Sequence, residues 1–209
     1  METKILRNKQ PLSEFISFRL SKQQINEAVQ NMTSGKPFYV TGILQSAGKK
    51  NQNGRVYPRE VLIREANRYG QNEIQEGRAY GELDHPDSQV VNVKNASHTI
   101  EELWWDGDNL MGKLEILDTP SGNIVRNILL AGKTLGISSR GLGSVKQVTE
   151  NTVEVQDDFE LICWDFVSNP STRGAFMKPL REGTGNQEQL DKYFNVHKCI
   201  SEILFDSNI

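Results

Sequence analysis

Between residues 99 and 117 the chain alternates. Leu110, Gly112, Leu114 and Ile116 are set between more polar neighbours, and the run pairs naturally with Thr99 to Trp105 around Asp106-Gly107-Asp108. A period of two puts one set of side chains on each face of a strand, so this pattern predicts a hairpin in a sheet covered on one side only. Phe38 to Leu44, rich in aromatic and β-branched residues, predicts the first core strand. The serine-rich stretch Gly136 to Ser144 predicts another, with Val145 to Gln156 and Phe159 to Val167 as two more.

Helical spacing occurs twice in this region. Leu62, Ala66 and Tyr69 recur on one face of a helix that Pro58 opens and Gly70 ends. Ile124, Val125, Ile128 and Leu129 give the buried face of a second, capped by Ser121 and stopped at Gly132. Between strand and helix, Gly48 to Gly54 forms a polar loop ending in the turn pair Asn53-Gly54. Many short antiparallel strands with a few intervening helices predict an α+β fold, a closed or barrel-like antiparallel β-sheet flanked by helices.

The ends read differently. Residues 1–35 form an N-terminal arm in which Phe15, Ile16, Phe18 and Leu20 make a short strand or docking segment, and Ser21 with Gln24 starts a helix running to about Met32. The core spans 36–180 and is followed by a polar linker over 181–187. Over 188–209, Leu190, Tyr193, Phe194, His197, Ile200 and Leu204 predict a C-terminal amphipathic helix.

At 209 residues, 36% hydrophobic and 24% charged, the chain can bury one good core. Its net charge of -3 and pI near 5.7 speak against a nucleic-acid partner, which needs clustered Lys and Arg. No apolar run is long enough to span a bilayer, and Met1 to Lys9 is charged where a signal peptide is apolar, so no membrane partner and residence where the chain is made are expected. Cys163 and Cys199 lack metal or redox spacing and read as free thiols.

The three histidines separate by context. His197 falls in the C-terminal helix and His98 opens a strand, where packing roles are the default. His85 follows a strand and precedes Pro86 in a polar turn with Asp84 and Asp87. Serine hydrolysis needs a hydroxyl, a base and a group that orients the base. His85 supplies a base and Ser138 a nucleophile. Asp165 is a lone acid within the apolar run Leu161, Ile162, Cys163, Trp164, Phe166 and Val167, and a carboxylate there is costly unless paired. It is the preferred third member, with Glu82 and Asp158 in reserve.

The order His, Ser, acid matches none of the chymotrypsin, subtilisin or α/β-hydrolase orders, and Arg140 stands where a G-x-S-x-G elbow needs its second Gly. Gly132-Lys133-Thr134 closes a helix rather than opening one, so it is a cap and not a phosphate loop. Asp84, His85, Asp87 and His98 lack strong metal-ligand spacing; neither metal nor cofactor is expected.

Taken together, Asn53-Gly54-Arg55-Val56-Tyr57-Pro58, Gly81-Glu82-Leu83-Asp84-His85-Pro86, the Trp104-Trp105 pair, Gly136 to Ser144 and the Phe159 to Pro170 stretch resemble the prohead (procapsid maturation) proteases of large tailed bacteriophages, over roughly residues 38–178. That family is distantly similar to the herpesvirus assemblins, serine proteases built on a closed β-barrel surrounded by helices. The resemblance implies an endopeptidase inside the immature capsid, in the host cytoplasm. Its partners are scaffold and capsid proteins, cleaved along with its own chain, and self-association into a homo-oligomer is expected.

By position, the family histidine falls on His85 and the family serine on Ser138 rather than Ser139. Assemblins use a second histidine as third member, and the corresponding strand here has none, which leaves that role to Asp165 or to a His85–Ser138 dyad. Arg140 and the amides around Gly141 become candidates for oxyanion stabilisation. Related enzymes favour cleavage after Leu-x-Glu or Ile-x-Glu. Such tripeptides end here at Glu14, Glu182 and Glu202, all outside the core, and trimming at Glu182 is expected. The competing readings are a catalytically silent capsid-assembly or scaffold protein of the same fold, and a metal-dependent hydrolase.

Overall fold

Strands carry most of the core. The computed structural model describes residues 5–19, 25, 26, 29, 36–86, 88–168 and 178–179, all within one unit spanning Met1–Pro179. In chain order its strands are β1 (Ile5–Arg19), β2 (Phe38–Ser46), β3 (Arg55–Val56), β4 (Tyr80–Glu82), β5 (Ala96–Asp106), β6 (Asn109–Ile116), β7 (Thr134–Thr149), β8 (Thr152–Val155), β9 (Glu160–Val167) and β10 (Lys178–Pro179). Helix α1 (Arg59–Tyr69) lies between β3 and β4, and α2 (Pro120–Leu130) between β6 and β7. The C-terminal helix, its linker, Glu182, Glu202 and Cys199 fall outside the described residues. Of the helix expected after Ser21, Ile25, Asn26 and Val29 are helical.

Two five-stranded sheets result. One runs β1-β7-β8-β3 with β9 also on β7, the other β10-β2-β6-β5-β4. A bridge between Leu83 and Phe166 joins them, reinforced by the Asp84 N–H donating to the Phe166 carbonyl at 2.7 Å. The sheets thus curl into the expected barrel-like α+β fold. Along β6, Leu110, Gly112, Leu114 and Ile116 are buried in alternation, as the sequence period predicts.

Several boundaries differ from expectation for identifiable reasons. Gly70 does not end α1: its φ of -59° is helical, and the chain continues through a widened turn to Ile74 before Gly77, at φ +65°, breaks it. Thr119, not Ser121, caps α2, because its hydroxyl accepts from the Gly122 N–H at 3.0 Å while Pro120 takes the first helical position. Ile124 is exposed, so the buried stripe of α2 is Val125 and Leu129. Residues 145–149 continue β7, and β8 begins only after a turn at Glu150-Asn151. The N-terminal arm joins the sheet: β1 pairs with β7 from Arg19↔Thr134 to Ile5↔Lys146.

The core holds β9 firmly. Trp164 and Phe166 are fully buried, and Tyr69 packs edge-on against Trp164 at 5.1 Å between ring centroids. Such a pair adds about 1 kcal/mol beyond its area burial. Helix α1 is tied to the same strand by the buried Glu65 carboxylate, which accepts from the Leu161 N–H at 2.8 Å and from Arg68 Nε at 2.9 Å. The tryptophan pair lies half-buried on β5, with the Arg59 guanidinium 4.9 Å above the Trp105 ring.

Candidate active site

His85 is presented by a turn that strains the backbone. After β4, Asp84 adopts φ +73°, a left-handed conformation that costs a residue with a Cβ about 1 kcal/mol. Its carboxylate accepts from the His85 N–H at 3.1 Å, and its own N–H is held by Phe166. Two anchors therefore impose the turn, which aims the imidazole at β9. His85 Nδ1 lies 2.9 Å from Asp165 Oδ2. The histidine side chain stays 25% exposed, whereas Asp165 is fully buried.

Asp165 is surrounded by donors. Its Oδ1 accepts from the Glu82 N–H at 2.9 Å, Arg140 Nη2 at 3.2 Å and the Cys163 thiol at 3.3 Å. Arg140 Nε lies 2.9 Å from Oδ2. Burial alone would raise the carboxyl's pKa, but the His85 hydrogen bond, the Arg140 charge and the Glu82 N–H hold it below its ordinary value. The acid is a carboxylate at neutral pH.

Cross-strand register brings the serine in. Ser138 on β7 pairs directly with Asp165 on β9, while Arg140 pairs with Cys163. Period-two alternation puts all four on one face of the sheet, and directly opposed residues have Cβ atoms about 5 Å apart. Ser139 falls on the other face opposite Trp164, fully buried, and its hydroxyl has no partner among the described residues. Ser138 is 4% exposed.

Arg140 does not stand free as an oxyanion donor. Its Nη2 donates to Glu82 Oε1 at 2.7 Å as well as to Asp165, and its Nη1 donates to the Ser88 carbonyl at 2.9 Å. Burial disfavours its charge, but Cys163, Asp165 and Glu82 outweigh that and raise its pKa. The guanidinium is a clamp on the acid rather than a group facing solvent. Gly141 is glycine for steric reasons, since a Cβ there would come within 2.5 Å of the Phe159 ring and 2.6 Å of the Glu160 carbonyl.

Glu82, the reserve acid, has a different task from the one its position implies. Fully buried, it accepts from the Asn92 N–H at 2.9 Å and Asn95 Nδ2 at 3.2 Å besides Arg140, pinning the segment after His85 to the clamp. Asp158, the other reserve, accepts from the Ser144 N–H and hydroxyl, each at 2.9 Å. His98 is a core residue: Ser97 Oγ lies 2.9 Å from its Nδ1, its ring stacks edge-on with Phe166, and burial lowers its pKa to about 4. Gly81 of the Gly-Glu-Leu-Asp-His-Pro motif leaves room for that ring and for the Trp164 carbonyl.

Sequence reasoning missed the Arg140–Glu82–Asp165 network. One signal was available: Glu82 is the lone charged residue in the run from Ala79 to Leu83. Among the described residues no cluster of His, Cys, Asp and Glu is arranged to hold a metal ion, and no helix is long and apolar enough to cross a membrane.

The chain is similar to known proteins. A family model described as prohead core protein serine protease matches residues 18–188. The prohead core protein protease of Enterobacteria phage T4 is 33% identical over 145 residues, 68% of each chain. The solved structure of the bacteriophage T4 capsid assembly protease is similar with a TM-score of 0.66 at 25% identity, covering 78% of this chain and all of that one.

Proposed function

Since the chain belongs to the prohead core protein serine protease family, we propose that it is a serine endopeptidase of capsid assembly in which Ser138 is the nucleophile, His85 the general base and Asp165 the orienting acid. Its substrates are the capsid and scaffold proteins of the prohead, cleaved after Leu-x-Glu or Ile-x-Glu, and its own chain. The prohead interior is its place of action.

The single observation carrying this reading is the contact of His85 Nδ1 with a fully buried carboxylate whose cross-strand neighbour is Ser138. Asp165 fixes the proton on Nδ1, so Nε2 is the nitrogen left to take the Ser138 proton as the hydroxyl attacks a peptide carbonyl. The imidazolium formed is stabilised by the same carboxylate and then gives its proton to the leaving amine. Arg140 is a positioning residue that keeps Asp165 ionised and oriented; the oxyanion falls to backbone N–H groups near the serine, with those around Gly141 the candidates.

The test is incubation of wild type, Ser138→Ala and His85→Ala with a Leu-x-Glu peptide and with scaffold protein. Cleavage lost in both variants is expected. Cleavage unaffected by either substitution would overturn the assignment.

A further inference from the structure

From Ser88 to Asn95 the chain between His85 and β5 is mostly exposed, yet it is tied to the buried network beneath it. Its base is closed by the Leu83 N–H, which donates to the Asn95 carbonyl at 3.1 Å, and by buried Glu82, which accepts from the Asn92 N–H and Asn95 Nδ2. Its outer arm is held by Arg140, whose Nη1 donates to the Ser88 carbonyl. Ser138 and Arg140 share a face of β7 about 7 Å apart, so this contact brings the loop to the Arg140 side of the proposed nucleophile.

Local bonds fix what the loop displays. Ser88 Oγ donates to the Val90 carbonyl at 2.9 Å and accepts from the Val90 N–H at 3.2 Å. The Asn92 side chain accepts from the Lys94 N–H at 3.1 Å, capping a single 3-10 turn over Val93–Asn95. Val90 and Val93 are 73% and 68% exposed, the two most exposed large hydrophobics among the described residues. Lys94 is exposed beside them and is the only Lys or Arg between Leu83 and Glu101. Surface valines scattered singly need no explanation. Here two stand on one loop whose backbone is already ordered, which lowers the entropy cost of binding a partner.

The partner follows from complementarity. In an extended Leu-x-Glu segment the Leu and Glu side chains point to the same side about 7 Å apart, so one surface offering apolar contacts and a cation can receive both. Arg140 is engaged by Asp165, Glu82 and Ser88 and is not that cation. We propose that the loop from Ser88 to Lys94 is the specificity subsite for the residues leading to the cut: Val90 and Val93 receive Leu or Ile, and Lys94 receives Glu. Recognition depends on the loop; that a bond is then cut rests on the endopeptidase reading.

The experiment reads binding and cleavage separately. Full-length chains carrying Ser138→Ala are titrated with fluorescein-labelled peptides built around Leu-Ser-Glu, Ala-Ser-Glu and Leu-Ser-Lys, followed by anisotropy, and chains with Ser138 intact are assayed for cleavage of the same peptides. Each is made with the native loop, with Val90→Ser and Val93→Ser together, and with Lys94→Glu. A ratio between two peptides on one chain does not depend on how much of it is folded. The native loop should prefer Leu-Ser-Glu over Ala-Ser-Glu by about tenfold, and the double-serine chain by no more than about twofold. Lys94→Glu should shift the ratio of Leu-Ser-Glu to Leu-Ser-Lys by about tenfold towards the lysine peptide. An unchanged Leu-to-Ala ratio in the double-serine chain, an unchanged Glu-to-Lys ratio in Lys94→Glu, or no peptide binding by the native loop overturns the proposal. Loop-dependent binding without cleavage keeps the subsite and removes the endopeptidase reading; cleavage whose ratios ignore the loop does the reverse.

Discussion

Arg140 and Asp165 form a buried ion pair across the β7–β9 ladder, Nε to Oδ2 at 2.9 Å, with the histidine contact on the same carboxylate. Removing one partner of such a pair strands the other charge, so Arg140→Gln should cost about 3–5 kcal/mol in urea unfolding. The pH dependence has a definite sign. Asp165 has a folded pKa below 3.8, so its contribution is present above that value and lost as pH falls through the depressed one. In Arg140→Gln the folded pKa rises and the acid-unfolding midpoint, followed by circular dichroism, should move to higher pH. Arg140→Lys should restore the charge without the two-pronged contact and recover only part of the loss.

Asp165→Asn keeps the shape and removes the charge that fixes the imidazole. Peptide turnover should fall by about ten-thousand-fold, with KM little changed, because substrate contacts are untouched. A loss in KM alone would remove Asp165 from the catalytic unit.

His98 titrates in the opposite sense from a paired histidine. Its pKa is lowered from 6.5 to about 4, so unfolded chains bind the extra proton between those values and stability declines as pH falls from 6.5. Between pH 7.5 and pH 5 the decline should be about 2 kcal/mol, and His98→Gln should flatten it. Urea titrations at both pH values measure this.

Two glycines make a matched pair. At Gly81 an added Cβ would fall 2.1 Å from the Trp164 carbonyl oxygen and 2.3 Å from His98 Cε1, so Gly81→Ala should destabilise by about 3 kcal/mol or more. Gly70 is helical and has nothing within 4 Å of its Cβ position, so Gly70→Ala should stabilise by about 0.5–1 kcal/mol.

Self-processing at Glu182 is read from intact mass. Wild-type protein under activating conditions should lose the residues after Glu182, and Ser138→Ala protein should not; identical masses would count against trimming.

The fold was legible where a residue's environment follows from its near neighbours. Alternation along β6 and the apolar run of β9 sufficed for those strands, and His85, Ser138 and Asp165 stand out by local chemistry. What could not be read depends on register. Arg140 and Glu82 meet because β7 pairs with β9 at Ser138↔Asp165 while Glu82 donates its N–H to Asp165, a conjunction of three separate segments. Gly70 differs from the expectation because glycine adopts a negative φ about as readily as a positive one, and which it takes is set by the turn that follows.

The Leu83–Phe166 bridge is a stitch that joins the two sheets, and it lies two residues before His85 on one side and immediately after Asp165 on the other. With the proposed triad of Ser138, His85 and Asp165, catalytic competence reports on the closure of the barrel. On warming, parting of this seam would separate base from acid while both sheets still held their ladders, so heat inactivation should run ahead of melting. The enzyme would fall silent before it unfolds, and cooling would restart it.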